Sequence, residues 1–274
     1  MQLRHPKSQL AVFEGSGYLL LMAKPGFLNF HVDHMTLLLQ QPLYNVAHLI
    51  FRVIFGVGAD DLLYEKRKEW IAGKGEESMT FAVRIGQAND ELPDLRNTII
   101  AVVQPSEPIT TPSHVREMLT GHKAAAHWQH IALRTSDLLA FHQHALDRGV
   151  NFITPVLQDE SEDLIQVFSG EWFFPGSPPS AMFFEFVQRN PSADLLKKLE
   201  DRNREAWFRD KTFLGLYGEK EKEYQSGQVT PFLDFALFDK LFSAFGKKKL
   251  WDITDGDVRA AEKIMLEYRR LAAS

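Results

Sequence analysis

The chain has 274 residues, of which 45% are hydrophobic and 24% charged, and at roughly 100–200 residues per domain this means one large globular domain or two modules. A net charge of −5 argues against a surface built to neutralise many phosphates, so nucleic acid is not an expected partner. The sequence contains no cysteine, which excludes disulfides, thiolate metal sites and thiol nucleophiles and leaves His, Asp or Glu to hold any metal.

Residues 1–30 read as an irregular lead-in with Pro25-Gly26 near its end. Their apolar run, residues 18–23, is far short of the roughly 20 residues that a spanning helix needs. Glu14 before it and Lys24-Pro25 after it do not suit a secretory leader. The expectation is a cytoplasmic protein without a membrane partner.

Next comes His31-Val32-Asp33-His34-Met35-Thr36-Leu37, which heads an apolar helical stretch over 44–55 ending at Gly56 and two β-rich runs at 79–85 and 98–103. A linker follows over 105–126, with Pro105, Pro108 and Pro112 before a short helix at 113–119. The opening motif then returns in outline, 96 residues on, as His127-Trp128-Gln129-His130-Ile131-Ala132-Leu133. Ser136-Asp137 supplies an N-cap, a helix runs through Asp147, and Gly149 sits where a C-cap glycine belongs. Strand-like runs follow at 150–153, 164–169 and 181–187. Beyond Pro191 the chain becomes helical and charged. Leu195, Leu196, Leu199 and Trp207 share a helical period within 192–208, and Thr254 caps a last helix reaching about residue 272. Lys247-Lys248-Lys249 reads as a solvated loop.

The duplicated order of elements predicts an α+β fold. Two paired βαβββ modules form a curved mixed sheet around a cleft, with a helical C-terminal tail. The expected divisions are a lead-in over 1–30, a first module over 31–112, a linker helix with the second module over 113–190, and a helical extension over 191–274.

His5, His48, His142 and His144 lie near the N-terminus or on predicted helices, where packing or surface roles suffice. His31 and His34 are three apart on one strand, as are His127 and His130. An odd spacing sends the two side chains to opposite faces, so one of each pair enters the cleft, and periodicity does not say which. Glu185 stands in an otherwise apolar strand, Ala181-Met182-Phe183-Phe184-Glu185-Phe186-Val187. A buried unpaired carboxylate costs several kcal/mol, so Glu185 needs a cation, a hydrogen-bond network or a proton, the two main candidates being an Arg such as Arg134 or Arg189 and a metal ion. Two imidazoles and one carboxylate would suit iron(II) in a facial triad, and the same set could hold Mn²⁺ or Zn²⁺.

At these positions the sequence resembles the C-terminal, catalytic half of 4-hydroxyphenylpyruvate dioxygenase, a member of the vicinal oxygen chelate superfamily. The resemblance rests on Val32-Asp33-His34, Gln129-His130-Ile131-Ala132-Leu133-Arg134-Thr135, Leu164-Ile165-Gln166-Val167-Phe168 and Phe183-Phe184-Glu185-Phe186-Val187-Gln188-Arg189, and covers roughly residues 30–190. It implies Fe²⁺ on His34, His130 and Glu185, and oxidative decarboxylation of an α-keto acid with O₂. It further implies a catalytic role for Gln166 and a substrate pocket of Phe81, Ser106, His114, Gln129, Gln166, Phe168 and Phe183. Phe81, Ser106 and His114 stand where the family carries Ser, Asn and Gln. Several of its polar contacts are therefore replaced, and a different keto acid is expected. Phe238, Leu241, Phe242 and Phe245 faintly resemble the family's gating helix, without the glycines and Asn that precede it there.

The expected activity is thus that of an Fe(II)-dependent dioxygenase. The alternatives are a non-oxidative isomerase or lyase using Mn²⁺ or Zn²⁺, and a module that only sequesters a small ligand. Homodimers with two-fold symmetry are the expected assembly.

Overall fold

The computed structural model describes residues 24–86, 97–159, 163–203 and 213–272. His5, Glu14, the apolar run 18–23 and Trp207 lie outside them. The first module consists of β1 (His31–Leu39), α1 (Gln41–Ile54), β2 (Leu62–Lys68), β3 (Glu77–Ile85) and β4 (Thr98–Val103). The linker helix α2 (His114–Gly121) leads into the second module, β5 (Ala126–Arg134), α3 (Leu138–Asp147), β6 (Leu157–Asp159), β7 (Leu164–Glu171) and β8 (Phe183–Arg189). The C-terminal helices are α4 (Ala193–Asn203), α5 (Phe213–Ser226), α6 (Phe235–Phe245) and α7 (Asp255–Ala272). The two βαβββ modules are those expected from the repeat.

All eight strands join one sheet in the order β2-β3-β4-β1-β5-β8-β7-β6. Each module puts its first strand parallel to its last, β1 with β4 and β5 with β8, and the modules meet where β1 runs antiparallel to β5. This is the paired arrangement that the repeat implies. The sheet curls so far that its two end strands approach each other, with Lys66 Nζ of β2 3.9 Å from Asp159 Oδ2 of β6.

Strand alternation divides the side chains between two layers. On the convex side, α1 buries Tyr44 and Phe51 against Phe81, Val83 and Val102. In the second module α3 buries Leu138, Phe141 and Ala145 against Ile165, Val167 and Phe186, joined by Leu199 of α4. The helix ends follow the expected chemistry: Asp137 Oδ1 accepts from Ala140 N, Ser113 Oγ accepts from Arg116 N, and Thr254 Oγ1 accepts from Asp257 N. Gly149, just past α3, adopts φ +82°.

Two strands differ from expectation. β2 was not foreseen, because Glu65, Lys66, Arg67 and Lys68 are poor β formers; at a sheet edge such charges are tolerated and discourage further pairing. The run 150–153, expected as a strand, forms only the isolated bridges Val150 to Leu233 and Phe152 to Ser169. Pro155 follows it, and the next strand of that module is the short β6.

The C-terminal segment is tied to the second module by close backbone approach. Glu171 N donates to Thr230 O at 2.8 Å and Phe232 N to Glu171 O at 2.6 Å. A Cβ on Gly170 would lie 2.3 Å from Pro231 O, so only glycine lets the two backbones run this close. Gly170→Ala is predicted to destabilise the fold by about 1–3 kcal/mol, seen as a lower denaturant midpoint at unchanged m value.

Candidate metal centre

The concave face of the sheet holds the polar residues. His34 projects from β1, His130 from β5 and Glu185 from β8, three adjacent strands. Thr36 pairs with His130 across β1 and β5, and Ala132 pairs with Glu185 across β5 and β8. One ligand atom from each of His34, His130 and Glu185 lies within 4.8 Å of the others. Among the described residues no other group of three or more His, Asp or Glu side chains converges in this way.

The distances are 3.1 Å from His130 Nε2 to Glu185 Oε2, 3.3 Å from His34 Nε2 to Glu185 Oε2, and 3.4 Å between the two Nε2 atoms. Ligands about 2.1 Å from one ion stand about 3.0 Å apart on an octahedral edge and about 3.4 Å apart on a tetrahedral one. The observed triangle therefore fits one face of either polyhedron.

The surrounding hydrogen bonds decide where the imidazole lone pairs point. Asp33 Oδ1 lies 3.1 Å from His34 Nδ1, and this carboxylate is itself gripped by Arg189, through Nε to Oδ2 at 2.7 Å and Nη2 to Oδ1 at 2.6 Å. With Nδ1–H donated to Asp33, His34 presents Nε2 to the cleft, as metal-bound imidazoles with a carboxylate partner do. Gln129 Oε1 lies 3.1 Å from His130 Nδ1 and can only accept there. His130 Nε2 thus also faces the cleft as a lone pair, alongside Glu185. Three acceptors packed this tightly and buried need a cation among them, and the donor set fits a divalent transition metal.

Without a metal, protons take that place. Burial opposes charge on His34, but the Glu185 carboxylate and the bond to Asp33 outweigh it and push its pKa up to about 10. Burial would raise Glu185, yet His34 and His130 bring it down to about 2. Burial lowers the pKa of His130, against the pull of Glu185. Asp33 is held well below the usual carboxylate range: burial works against this, and the bonds from Arg189 and His34 overcome it.

Of the residues the resemblance placed around a substrate, Gln166 and Phe168 of β7 line the same cleft as the triad. Phe183 is fully buried and stacks on the His130 ring, with centroids 5.2 Å apart. Gln129 and His114 lie behind His130, with Gln129 Nε2 2.7 Å from His114 Nε2. Gln129, His114 and Phe183 are thus not among the residues lining the cleft, and two further expectations need correction. Phe81 does not line the cleft: alternation along β3 turns its ring to the convex side, 4.9 Å from Tyr44, and gives the concave position to Thr80. Ser106 is buried beneath Trp70, whose Nε1 donates to its Oγ at 3.2 Å, and it is absent from the cleft lining.

The cleft also contains residues that motif reading missed. Thr36, Tyr64, Lys66, Thr80, Asp159 and Leu216 all line it. Thr36 Oγ1 is 2.8 Å from His130 Nε2. Thr80 Oγ1 is buried and has no hydrogen-bond partner among the described residues. Period-two alternation could have found Thr36, two residues from His34. Tyr64 and Lys66 lie on the unforeseen β2, and nothing in the motifs pointed to Leu216. Leu216 of α5 packs on Phe168 and Phe183 and leaves a cavity of about 40 Å³, room for a few waters.

No family model and no curated protein matches the sequence. Among solved structures, the chain is similar to a mutant of 4-hydroxymandelate synthase from Streptomyces coelicolor, with 19% identity and a TM-score of 0.41, covering 64% of this chain and 55% of that one. It thus spans little more than half of the synthase. It is also similar to methylmalonyl-CoA epimerase from Mycobacterium tuberculosis, with 16% identity and a TM-score of 0.40, covering 62% of this chain and 95% of that one. A variant of the Streptomyces coelicolor epimerase in complex with 2-nitronate-propionyl-CoA shows 17% identity and a TM-score of 0.39, covering 58% and 97%. No helix among the described residues is long and apolar enough to cross a membrane.

Two predictions follow from the geometry. Arg189→Met frees Asp33 from its clamp and is expected to weaken binding of a divalent metal about 10–100-fold, measured by Co²⁺ titration. A metal must also displace the proton held on His34, so affinity should rise with pH while that proton is present, below a pKa of about 10. A flat Co²⁺ affinity between about pH 6 and 8 would contradict this reading.

Proposed function

We propose that the chain is a metal-dependent oxygenase in which His34, His130 and Glu185 hold Fe²⁺ and a small α-keto acid is oxidatively decarboxylated with O₂. The observation that carries this reading is the three-donor face at 3.1, 3.3 and 3.4 Å opening onto a cleft with Gln166 on its wall. Such a face leaves adjacent coordination positions for a bidentate substrate and oxygen. Fe²⁺ bound there would supply Lewis acidity and redox electrons.

The chain's own groups bind, orient and exclude water. Gln166, on the cleft wall, would donate its amide hydrogens to the substrate, and the buried hydroxyl of Thr80 would offer a second polar contact. Phe168 forms an apolar wall. Leu216, on the cleft wall, would help keep bulk water from the reacting groups. With about 40 Å³ free, a keto acid with a short side chain is favoured over an arylpyruvate.

A second reading is a non-oxidative isomerase or lyase using Mn²⁺ or Zn²⁺ as Lewis acid. It is favoured by Tyr64, Lys66 and Asp159 on the wall contributed by the two end strands, since such groups are suited to proton transfer.

Anaerobic reconstitution with Fe²⁺, followed by oxygen-uptake and CO₂ measurements on a panel of α-keto acids, separates the two. The expected result is coupled uptake with at least one substrate, lost in His34→Ala and lowered about 10²-fold in kcat by Gln166→Ala. Turnover without oxygen after loading with Mn²⁺ or Zn²⁺, and no uptake with Fe²⁺, would establish the second reading instead.

A further inference from the structure

Behind the metal face runs a buried polar chain that binding and chemistry do not use directly. It starts at His130, whose Nδ1 is 3.1 Å from Gln129 Oε1. Gln129 is fully buried, and its Nε2 lies 2.7 Å from Nε2 of the buried His114. An amide nitrogen only donates, so His114 Nε2 is the acceptor in this contact. The His114 ring meets the Tyr224 ring edge-on, with centroids 5.9 Å apart. Tyr224 Oη donates to Glu171 Oε1 at 3.0 Å, and the same oxygen accepts from Lys220 Nζ at 2.9 Å. Lys220 has no exposed surface; its Nζ also donates to Glu223 Oε2 at 2.7 Å and lies 5.3 Å from the centroid of the Phe183 ring that stacks on His130. Glu171 Oε2 accepts from Ala181 N at 2.8 Å. Helix α5 thus sends a buried cation to the rear of the metal site.

The amide of Gln129 can point only one way at a time. In the orientation present, its oxygen accepts from His130 Nδ1–H, and the lone pair of that ring is left on Nε2, toward the cleft. Reversed, its nitrogen would donate to Nδ1, and the proton of a neutral His130 would sit on Nε2, where it blocks a metal. The reversed orientation needs a donor hydrogen on His114 Nε2. Burial and the nearby charge of Lys220 both oppose a cationic His114, whose pKa falls to about 3. A neutral ring has one hydrogen, so the orientation present pairs an Nδ1–H tautomer of His114 with an Nδ1–H tautomer of His130, and the reversed one would move both hydrogens to Nε2.

We propose that His114 and Gln129 form a relay that fixes the tautomer of His130 with its Nε2 lone pair on the cleft, and that Lys220 of α5 anchors the far end of this relay. The proposal rests on His130 being a metal ligand, but its first consequence is measurable in protein without metal. His114 and Gln129 are positioning residues here: they act on the metal through His130 and leave the cleft to other groups. This role differs from the substrate contact expected of them from sequence.

The test uses the full chain, metal-free and labelled with ¹⁵N at histidine. Long-range ¹H–¹⁵N correlation spectra report the tautomer of each ring. Wild type should show His130 protonated at Nδ1, and His114→Phe should shift it toward the Nε2–H form. His114→Gln keeps an acceptor for the Gln129 amide and should restore the wild-type signature. In parallel, Co²⁺ titration should show affinity about 10–100-fold weaker in His114→Phe and recovered in His114→Gln. Should His114→Phe fail to fold, Gln129→Met carries the same expectation for Co²⁺ affinity without altering His114. An Nε2–H tautomer in wild type, or a tautomer and Co²⁺ affinity indifferent to both substitutions, overturns the relay. His34→Ala is the control for the centre itself: unchanged Co²⁺ binding there overturns the metal reading, while the metal-free spectra still decide the relay.

Discussion

The structure depends on keeping one carboxylate, Glu185, buried between two imidazoles. Its side chain is almost wholly removed from water, and its Oε2 is 3.1 Å from His130 Nε2 and 3.3 Å from His34 Nε2. A charge in that position is stable only if something positive is held against it, because desolvation alone costs several kcal/mol. The fold meets this need by placing one histidine from each module on the two central strands. The antiparallel pairing of β1 with β5 makes a single site from two halves of a repeat.

Around this centre the charges are arranged in layers. Arg189 clamps Asp33, and Asp33 orients His34. On the other side Gln129 orients His130 and is itself held by His114. The two histidines therefore receive the same treatment from different chemistry, a carboxylate on one side and an amide on the other. Between them the rings are constrained before any ligand arrives, which reduces the ordering cost of binding. Farther back, Glu171 and Lys220 form a second buried ion pair. It ties α5, which carries Leu216 of the cleft wall, to β7.

The triad residues were legible in the sequence for a particular reason. A carboxylate in an apolar strand is conspicuous, and a His-bearing strand repeated at a fixed distance invites pairing. Residues whose signal was parity fared differently. Thr80, and not its neighbour Phe81, faces the cleft, since a shift of one residue along a strand reverses its face. The Lys220 to Glu171 pair was invisible, because a lysine and a glutamate 49 positions apart on a charged helix and a strand end look like ordinary surface residues. β2 was hidden in the same way by its charge-rich composition.

The sequence by itself determined the two-module plan, the position of each module's helix, and the identities of the three donors once the motifs were matched. These depend on local periodicity and on the chemistry of single residues, which a linear string carries. Tertiary structure decided how far the sheet curls, bringing Lys66 within 3.9 Å of Asp159, and how little room α5 leaves in the cleft. It also decided that Nε2 of His130 faces the centre, with Gln129 behind the ring at Nδ1. Those outcomes arise from packing among segments distant in the chain, where a few ångströms of approach determine whether a group is a partner, a wall or a ligand.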